Sequence, residues 1–563
     1  MHGSYASWPT TQSNIHHVIK GIYSAPGNGP PASLITSTRA LSARSPAWED
    51  KTIASFFERT AQDRPDVCAV VDGTTRLSYD ELATSVAGIR SGFVRHGVAA
   101  GDVITVECPN WWETVAFFHA AWLHGCACNP VVPIYREAEL GFIVKQARPK
   151  IIVIPHVFRR FNYVEMVAGL LSDIDPAPVV VVLRAQGALP EGFVALEDFV
   201  GDCDAGASAT DAEAISLLLY TSGTTADPKG VLHNHQTLVC ECRSIADAFT
   251  LSSDDVVFMS SPLTHITGLL YGVIMPPLLG CSVTLLDTWD PAVALETINR
   301  EGCTFTVGAT PFLQGLVRAY DEHGGSCALR AFLCGGADVP PALVHDGRRV
   351  LNAQVVRVYG SSELPTVSGS GKDTDEDTAA TTDGRPIGLV EVRLEDVIDG
   401  VGELLARGPE LFLGYLDPAL NTGSFTPDGY FRTGDLASID ERGAITIRGR
   451  KKDIIVRGGE NISAKEIEDA LFQHPDIEEV AVVAAPHPVL GEQVCACVVA
   501  RDGREVTVES VVAFLARFRM AKQKLPERVE LLTELPKTAS GKVQKYVLRD
   551  RVKETEVSSW ISR

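Results

Sequence analysis

The sequence predicts an α/β protein: a large N-terminal domain of parallel-rich sheets with flanking helices and a small β-rich subdomain, then a small α+β C-terminal domain. Three observations predict it. From about Ala47 onward, short runs of Val and Ile alternate with helical patterns, as strands do when crossover helices bury both faces of a sheet. At 563 residues the chain is too long for one core. From about Asp399 the character changes to shorter β-type segments, and a charged connector, Gly449-Arg450-Lys451-Lys452-Asp453, follows.

Met1 to about Ser45 is mixed and polar, with a Gly/Pro/Ser stretch at Ser24–Ser33 and no apolar h-region. Residues 1–45 are therefore set apart as an N-terminal extension, and the cytoplasm is the expected location. Ala69–Val71, Val103–Val106, Ile151–Ile154 and Val179–Leu183 read as strands, and Trp111–Leu123 as an apolar helix. Gly201–Ala214 is a Gly/Asp/Ala-rich stretch before the apolar run Ile215–Tyr220. Leu263–Leu286 is long enough to cross a bilayer. Its Pro276-Pro277 pair, its glycines and His265 favour a buried helix running into a strand, so no membrane span is expected. Asp373–Asp383 reads as a short acidic loop and Gly402–Gly408 as a strand pair. The domain boundary falls at the connector, giving units 46–449 and 450–563.

With 50 basic and 71 acidic residues, the chain carries a net charge of −21. This argues against a general polyanion-binding role, and no basic run is long enough for a nucleic-acid arm. The 13 cysteines include C-x-C pairs at 126/128, 240/242 and 495/497. No pair has zinc spacing, so they read as small buried residues in a reducing compartment.

Chemistry concentrates in one loop, Tyr220-Thr221-Ser222-Gly223-Thr224-Thr225-Ala226-Asp227-Pro228-Lys229-Gly230. Glycine permits close backbone approach, hydroxyls and N–H groups surround phosphate oxygens, and Lys229 adds a point charge. The order differs from a P-loop, which needs Gly-Lys-Ser/Thr. Further candidates follow along the chain: Pro262-Leu263-Thr264-His265, Thr304–Pro311, Phe332–Gly336, Tyr359-Gly360-Ser361-Ser362-Glu363, Tyr430–Asp435, the connector, and Pro536–Lys542. Glu363 is a hard oxygen ligand suited to Mg²⁺. Asp435 offers two acceptors to a diol. His233 and His235 lack further ligands nearby and read as structural residues at a helix start. Lys537 and Lys545, beside Lys542, read as solvated.

In this order the motifs resemble those of the adenylate-forming enzymes: acyl-CoA synthetases, firefly luciferases and the adenylation domains of peptide synthetases. The resemblance covers nearly the whole chain after about Pro46. It looks closest to bacterial short- and medium-chain acyl-CoA synthetases and cyclohexanecarboxylate–CoA ligases. It implies ATP, Mg²⁺ and coenzyme A as cofactor or co-substrates, a small carboxylic acid as partner, and a mobile C-terminal domain; a homodimer is left open.

Carried onto this chain, the resemblance implies catalytic roles for Lys542, Glu363 and His265, and a metal site at Glu363 and Thr225. Nucleotide contacts would come from Thr221, Ser222, Gly223, Thr224, Thr225, Lys229, Gly335, Gly336, Tyr359, Gly360, Ser361, Ser362, Asp435 and Arg450. His265, Gly308, Ala309 and Thr310 would line the acid pocket. Lys452 would be the hinge, and Gly459 would line a pantetheine tunnel. A core histidine is the competing reading of His265. Ala226 stands where the family has glycine, and Ser361-Ser362 where Ser/Thr-Thr is usual. No acidic residue among the matched pocket positions reads as an amino-group partner, which weighs against an amino-acid adenylation domain. The implied reaction is an acid–CoA ligation through an acyl-adenylate, on a fatty or alicyclic acid. Loading of a carrier protein and a non-catalytic nucleotide-binding role are the alternatives.

Overall fold

The computed structural model describes residues 48–561 except 172–173, 175, 204, 210, 222–227, 325–326, 338, 372–373, 519 and 538–541. Two large sheets dominate. One has nine strands and runs, edge to edge, through Arg385–Pro386, Ser368–Gly369, Gln354–Tyr359, Ala331–Gly335, Phe305–Gly308, Val256–Met259, Ser282–Leu285, Cys68–Asp72 and Thr75–Ser78. The six strands from Gln354–Tyr359 to Cys68–Asp72 are mutually parallel. The second sheet has eight strands and holds Val103–Val106, Ile151–Pro155 and Val179–Leu183 side by side in parallel. Their Val/Ile runs are buried throughout or nearly so, because helices cover both faces.

The helix Trp112–Leu123 is buried along almost its whole length, as its uniformly apolar sequence requires. The segment after His265 forms the helix Ile266–Leu269, a π-helical turn Leu270–Ile274 and the helix Met275–Leu279, then the strand Ser282–Leu285. No described helix is long and apolar enough to cross a membrane.

A four-stranded antiparallel sheet, Glu391–Ile398, Val401–Arg407, Phe431–Ile439 and Ile445–Arg450, forms the β-rich subdomain. A five-stranded sheet with the helices Ala464–Leu471, Val508–Leu515 and Lys545–Ile561 forms the C-terminal unit. The connector is the end of the strand Ile445–Arg450 and a 3₁₀ turn, Lys451–Asp453.

The structure corrects three expectations. Gly402–Gly408 is not a strand pair: residues 402–407 lie in the single strand Val401–Arg407, which pairs with Glu391–Ile398, and Gly408 follows it. Asp373–Asp383 is not all loop, because Glu376–Thr381 is a helix whose first turn is capped by Asp375 accepting from the Thr378 N–H. Lys537 and Lys545 are not merely solvated; they pair with Glu479 and Glu468 at 2.5 and 2.8 Å. The cysteines are all free, and the three C-x-C pairs are buried, packed as small apolar residues.

Candidate active site

Why distant motifs meet follows from the sheet. Gln354–Tyr359, Ala331–Gly335, Phe305–Gly308 and Val256–Met259 are adjacent and parallel, so the segments leaving their C-terminal ends lie side by side. Those segments carry Gly360–Glu363, Gly336, Ala309-Thr310 and Pro262–His265. Backbone crowding there requires glycine. A Cβ on Gly360 would sit 1.9 Å from the Pro365 carbonyl oxygen, and one on Gly335 would sit 2.5 Å from that of Val358.

Two cavities open at this edge. The larger, about 400 Å³, lies between the two domains and is lined by Thr310, Gly336, Tyr359, Gly360, Asp435, Arg450 and Lys542, among others. The smaller, about 80 Å³, is lined by His265, Gly308, Ala309, Gly335, Gly336, Gly360, Ser361 and Ser362, and again Lys542. Lys542 thus faces both.

In the cleft, the Tyr359 hydroxyl donates to Asp435 Oδ2 at 2.5 Å, while Arg450 Nε lies 3.2 Å from Asp435 Oδ1. Burial raises the Asp435 pKa, and Arg450 and the Tyr359 hydrogen bond oppose that rise. Lys542 is pushed the other way. Burial and then Arg450 lower its pKa, against the attraction of Asp435 and Glu363. His265 caps the helix Ile266–Leu269, its Nδ1 accepting from the Thr267 N–H at 3.4 Å. Burial first, then Lys542, drives its pKa down to about 3, so the ring beside the lysine is neutral.

The phosphate-loop residues Ser222, Gly223, Thr224 and Thr225, and Ala226 with them, lie outside the described residues. The loop joins antiparallel neighbours, Ile215–Thr221 and Lys229–Asn234, so Thr221 and Lys229 face each other across its base. Lys229 Nζ stands 5.1 Å from the centroid of the Tyr415 ring. The Tyr415 hydroxyl donates to Glu363 Oε1 at 2.7 Å. Ser361 Oγ accepts from the Glu363 N–H at 3.2 Å, shaping the turn. The structural expectation for the His-Asn-His run agrees with the geometry. His235 begins the helix His235–Phe249, and His233 Nε2 donates to the Ser362 carbonyl at 2.8 Å. Burial lowers both histidines to about 4.

Lys452 lies in the 3₁₀ turn of the connector. Gly459 sits apart from both cavities, in the turn between Ile454–Arg457 and Glu460–Ser463, with φ +90° and nothing within 4 Å of an added Cβ. Sequence reasoning missed Tyr415, which no local motif marks. It also missed the Arg357–Asp383 pair in the cleft wall, whose Nη2–Oδ1 distance is 2.7 Å. An arginine two residues before Tyr359 on a buried strand was the available signal.

The family of AMP-binding enzymes matches residues 57–416, and the C-terminal domain of the same enzymes matches residues 466–542. This chain is an AMP-binding enzyme. Among its relatives, the medium-chain fatty-acid–CoA ligase of Escherichia coli is 34% identical over 514 residues, covering 89% of this enzyme and 90% of that one. The salicylyl-CoA synthase / salicylate adenylyltransferase of a Streptomyces species is 32% identical, covering 90% and 94%. The ATP-bound MatB structure from Rhodopseudomonas palustris superposes with a TM-score of 0.79 at 27% identity, covering 89% of the enzyme and 99% of that chain. The adenylate-forming resemblance and the two-domain α/β fold are thereby established.

Proposed function

We propose that the enzyme is an ATP-dependent carboxylic acid–CoA ligase that works through an acyl-adenylate. One observation carries the reading: Lys542 lines both the nucleotide-sized cleft and the small pocket. A cation at that junction stands where an acid's carboxylate must meet an α-phosphate. The relatives named above, acid–CoA ligases among them, support the same chemistry.

In the first half, a carboxylate oxygen of the acid attacks the α-phosphorus of ATP. The bond to the bridging oxygen breaks, and pyrophosphate leaves with that electron pair. Lys542 offsets the charge that builds on the α-phosphate oxygens, and Asp435 and Tyr359 hold the ribose and base in line. Neutral His265 closes the pocket without adding a second positive charge beside Lys542. Thr221 and Lys229 stand at the root of the loop that would hold the departing phosphates. In the second half, the CoA thiolate attacks the acyl carbon and AMP leaves. Lys452 is assigned as the hinge and Gly459 as a wall of the thiol's path, with 46–449 and 450–563 as the moving bodies.

The residues fit Mg²⁺ brought with the nucleotide. Glu363 Oε1 is taken by Tyr415, and Oε2 has no hydrogen-bond partner among the described residues. Mg²⁺ needs only one or two carboxylates and takes phosphate oxygens and waters for the rest. No cluster of three or more His, Cys, Asp or Glu side chains among the described residues makes a cage for it. When bound it would neutralise phosphate charge.

The test is a panel of carboxylic acids incubated with ATP and Mg²⁺, with and without CoA, reading AMP, pyrophosphate and acyl-CoA. AMP and acyl-CoA should appear in equal amounts. AMP without any consumption of CoA would replace CoA by another acceptor, such as a carrier protein.

A further inference from the structure

Behind the small pocket lies a buried carboxylate that the reaction as described does not use. Glu241, in the helix His235–Phe249, is only 1% exposed. Its Oε1 accepts from the Tyr271 hydroxyl at 2.6 Å, and its Oε2 accepts from the Thr366 N–H at 3.2 Å. Tyr271 Oη and Thr366 Oγ1 are themselves 3.0 Å apart. No lysine or arginine among the described residues pairs with Glu241, and the charged group felt there is another carboxylate, Glu410. Tyr271 and Thr366 line the pocket directly.

The placement of Tyr271 follows from packing. Gly268 and Gly272 turn one face of their helix onto the preceding segment. A Cβ at Gly268 would meet the Pro262 carbonyl oxygen at 2.0 Å, and one at Gly272 would meet Leu263 Cδ2 at 2.7 Å. The neighbouring face, with Thr267 and Tyr271 one turn apart, is left to the pocket. Tyr271 lies six residues beyond His265, about 9 Å along the helix at 1.5 Å per residue. Its turn, Leu270–Ile274, is π-helical, a local form concentrated at functional sites.

The hydrogen-bond inventory is lopsided. The cluster holds three donors, the Tyr271 hydroxyl, the Thr366 hydroxyl and the Thr366 N–H, against the several lone pairs of a carboxylate and two hydroxyls. Within this cluster, with Glu241 ionised, acceptor capacity is left over and no donor is. The pocket is also small, roughly 80 Å³, which favours a compact acid over a long saturated chain.

We infer that the acid this enzyme activates is compact and carries a hydrogen-bond donor, a hydroxyl or an amino group, at the end remote from its carboxylate, where Tyr271 and Thr366, backed by Glu241, receive it. This rests on the ligase reading above and narrows its substrate. Burial pushes the Glu241 carboxyl up to about 7, against the Tyr271 and Thr366 hydrogen bonds, so it is poised to strengthen as an acceptor near neutrality.

The experiment uses the whole enzyme and near-isosteric acids: 4-hydroxybenzoate and 4-aminobenzoate against 4-methylbenzoate, and 6-hydroxyhexanoate against heptanoate, each with ATP and Mg²⁺, reading AMP by kcat/KM. In at least one series the donor-bearing acid should exceed its methyl partner by at least about tenfold, since a site built to hydrogen-bond discriminates strongly against analogues lacking the group. The hydroxy and amino arms show which donor is used. Tyr271→Phe should collapse that ratio, and Glu241→Gln should reduce the ratio in the same direction. Equal use of donor and methyl acids by the unmodified enzyme, or an unchanged ratio in Tyr271→Phe, overturns this inference and leaves the ligase reading standing. Failure to release AMP with any acid overturns both.

Discussion

The hydroxyl of Tyr415 donates to Glu363 Oε1 at 2.7 Å, tying a residue of the strand Gly414–Tyr415 to the turn after Tyr359. The same ring stands 5.1 Å from Lys229 Nζ. Tyr415 therefore orients the carboxylate proposed for Mg²⁺ and packs against the lysine at the root of the phosphate loop. Tyr415→Phe should raise the Mg²⁺ and ATP concentrations needed for half-maximal AMP formation by about tenfold, the scale of one hydrogen bond to a charged group. A magnesium titration at fixed ATP checks it, and unchanged half-saturation would remove Tyr415 from the site.

Lys542 should separate the two halves of the reaction. Lys542→Ala should slow adenylate formation by about 10²–10³-fold, as loss of one transition-state donor does. It should leave conversion of a supplied acyl-adenylate and CoA to acyl-CoA nearly intact. Pyrophosphate release and thioester formation, measured separately, decide the matter; equal loss in both contradicts the assigned role.

Two glycines should behave oppositely. Gly360→Ala places a Cβ 1.9 Å from the Pro365 carbonyl oxygen, so the turn must shift. Lower thermal stability and loss of both half-reactions are expected. At Gly459 an added side chain meets nothing, and only its φ of +90° resists, a cost of about 1–3 kcal/mol. Gly459→Leu should fold and form adenylate, yet lose most of its thioester formation. Normal thioester kinetics in that variant would take Gly459 off the thiol's path.

Acid should unfold the enzyme through its buried histidines. Burial holds His119 and His265 down to about 3, and His233 and His235 to about 4. Their unfolded value lies near 6.5. The unfolded chain thus binds more protons in the window below 6.5, so the stability from these neutral rings is full above it and is lost as pH falls towards 4 and 3. His235 Nδ1 accepts from the Ile53 N–H at 3.3 Å. His235→Asn keeps an acceptor there without the titration, and should flatten the fall of the unfolding midpoint between pH 6.5 and 4. Midpoints across that range, for both proteins, test it; parallel curves would reject His235 as a contributor.

Much of the fold was legible because buried parallel strands advertise themselves. Ile151–Ile154 and Val179–Leu183 are apolar without interruption because no face of them meets water. The short helix Glu376–Thr381 was not legible, because its acidic residues resemble a solvated loop until Asp375 is seen accepting from Thr378. Lys537 and Lys545 looked solvated because their partners, Glu479 and Glu468, are 58 and 77 residues away in the chain.

By itself the sequence determined the class of chemistry. Glu363, Asp435, Arg450 and Lys542 each sit in a short motif whose residue types announce a nucleotide and its phosphates, and the order of those motifs names the family. Tertiary structure alone decided which side chains finish the site. Tyr415 reaches Glu363, Arg357 reaches Asp383, and Glu241 reaches Tyr271 and Thr366. The physical reason is that a parallel sheet sets the C-terminal ends of distant strands side by side, while helix packing decides which way each neighbouring side chain points. No acidic residue stood among the matched pocket positions, yet packing brings Glu241 to within one side chain of that pocket.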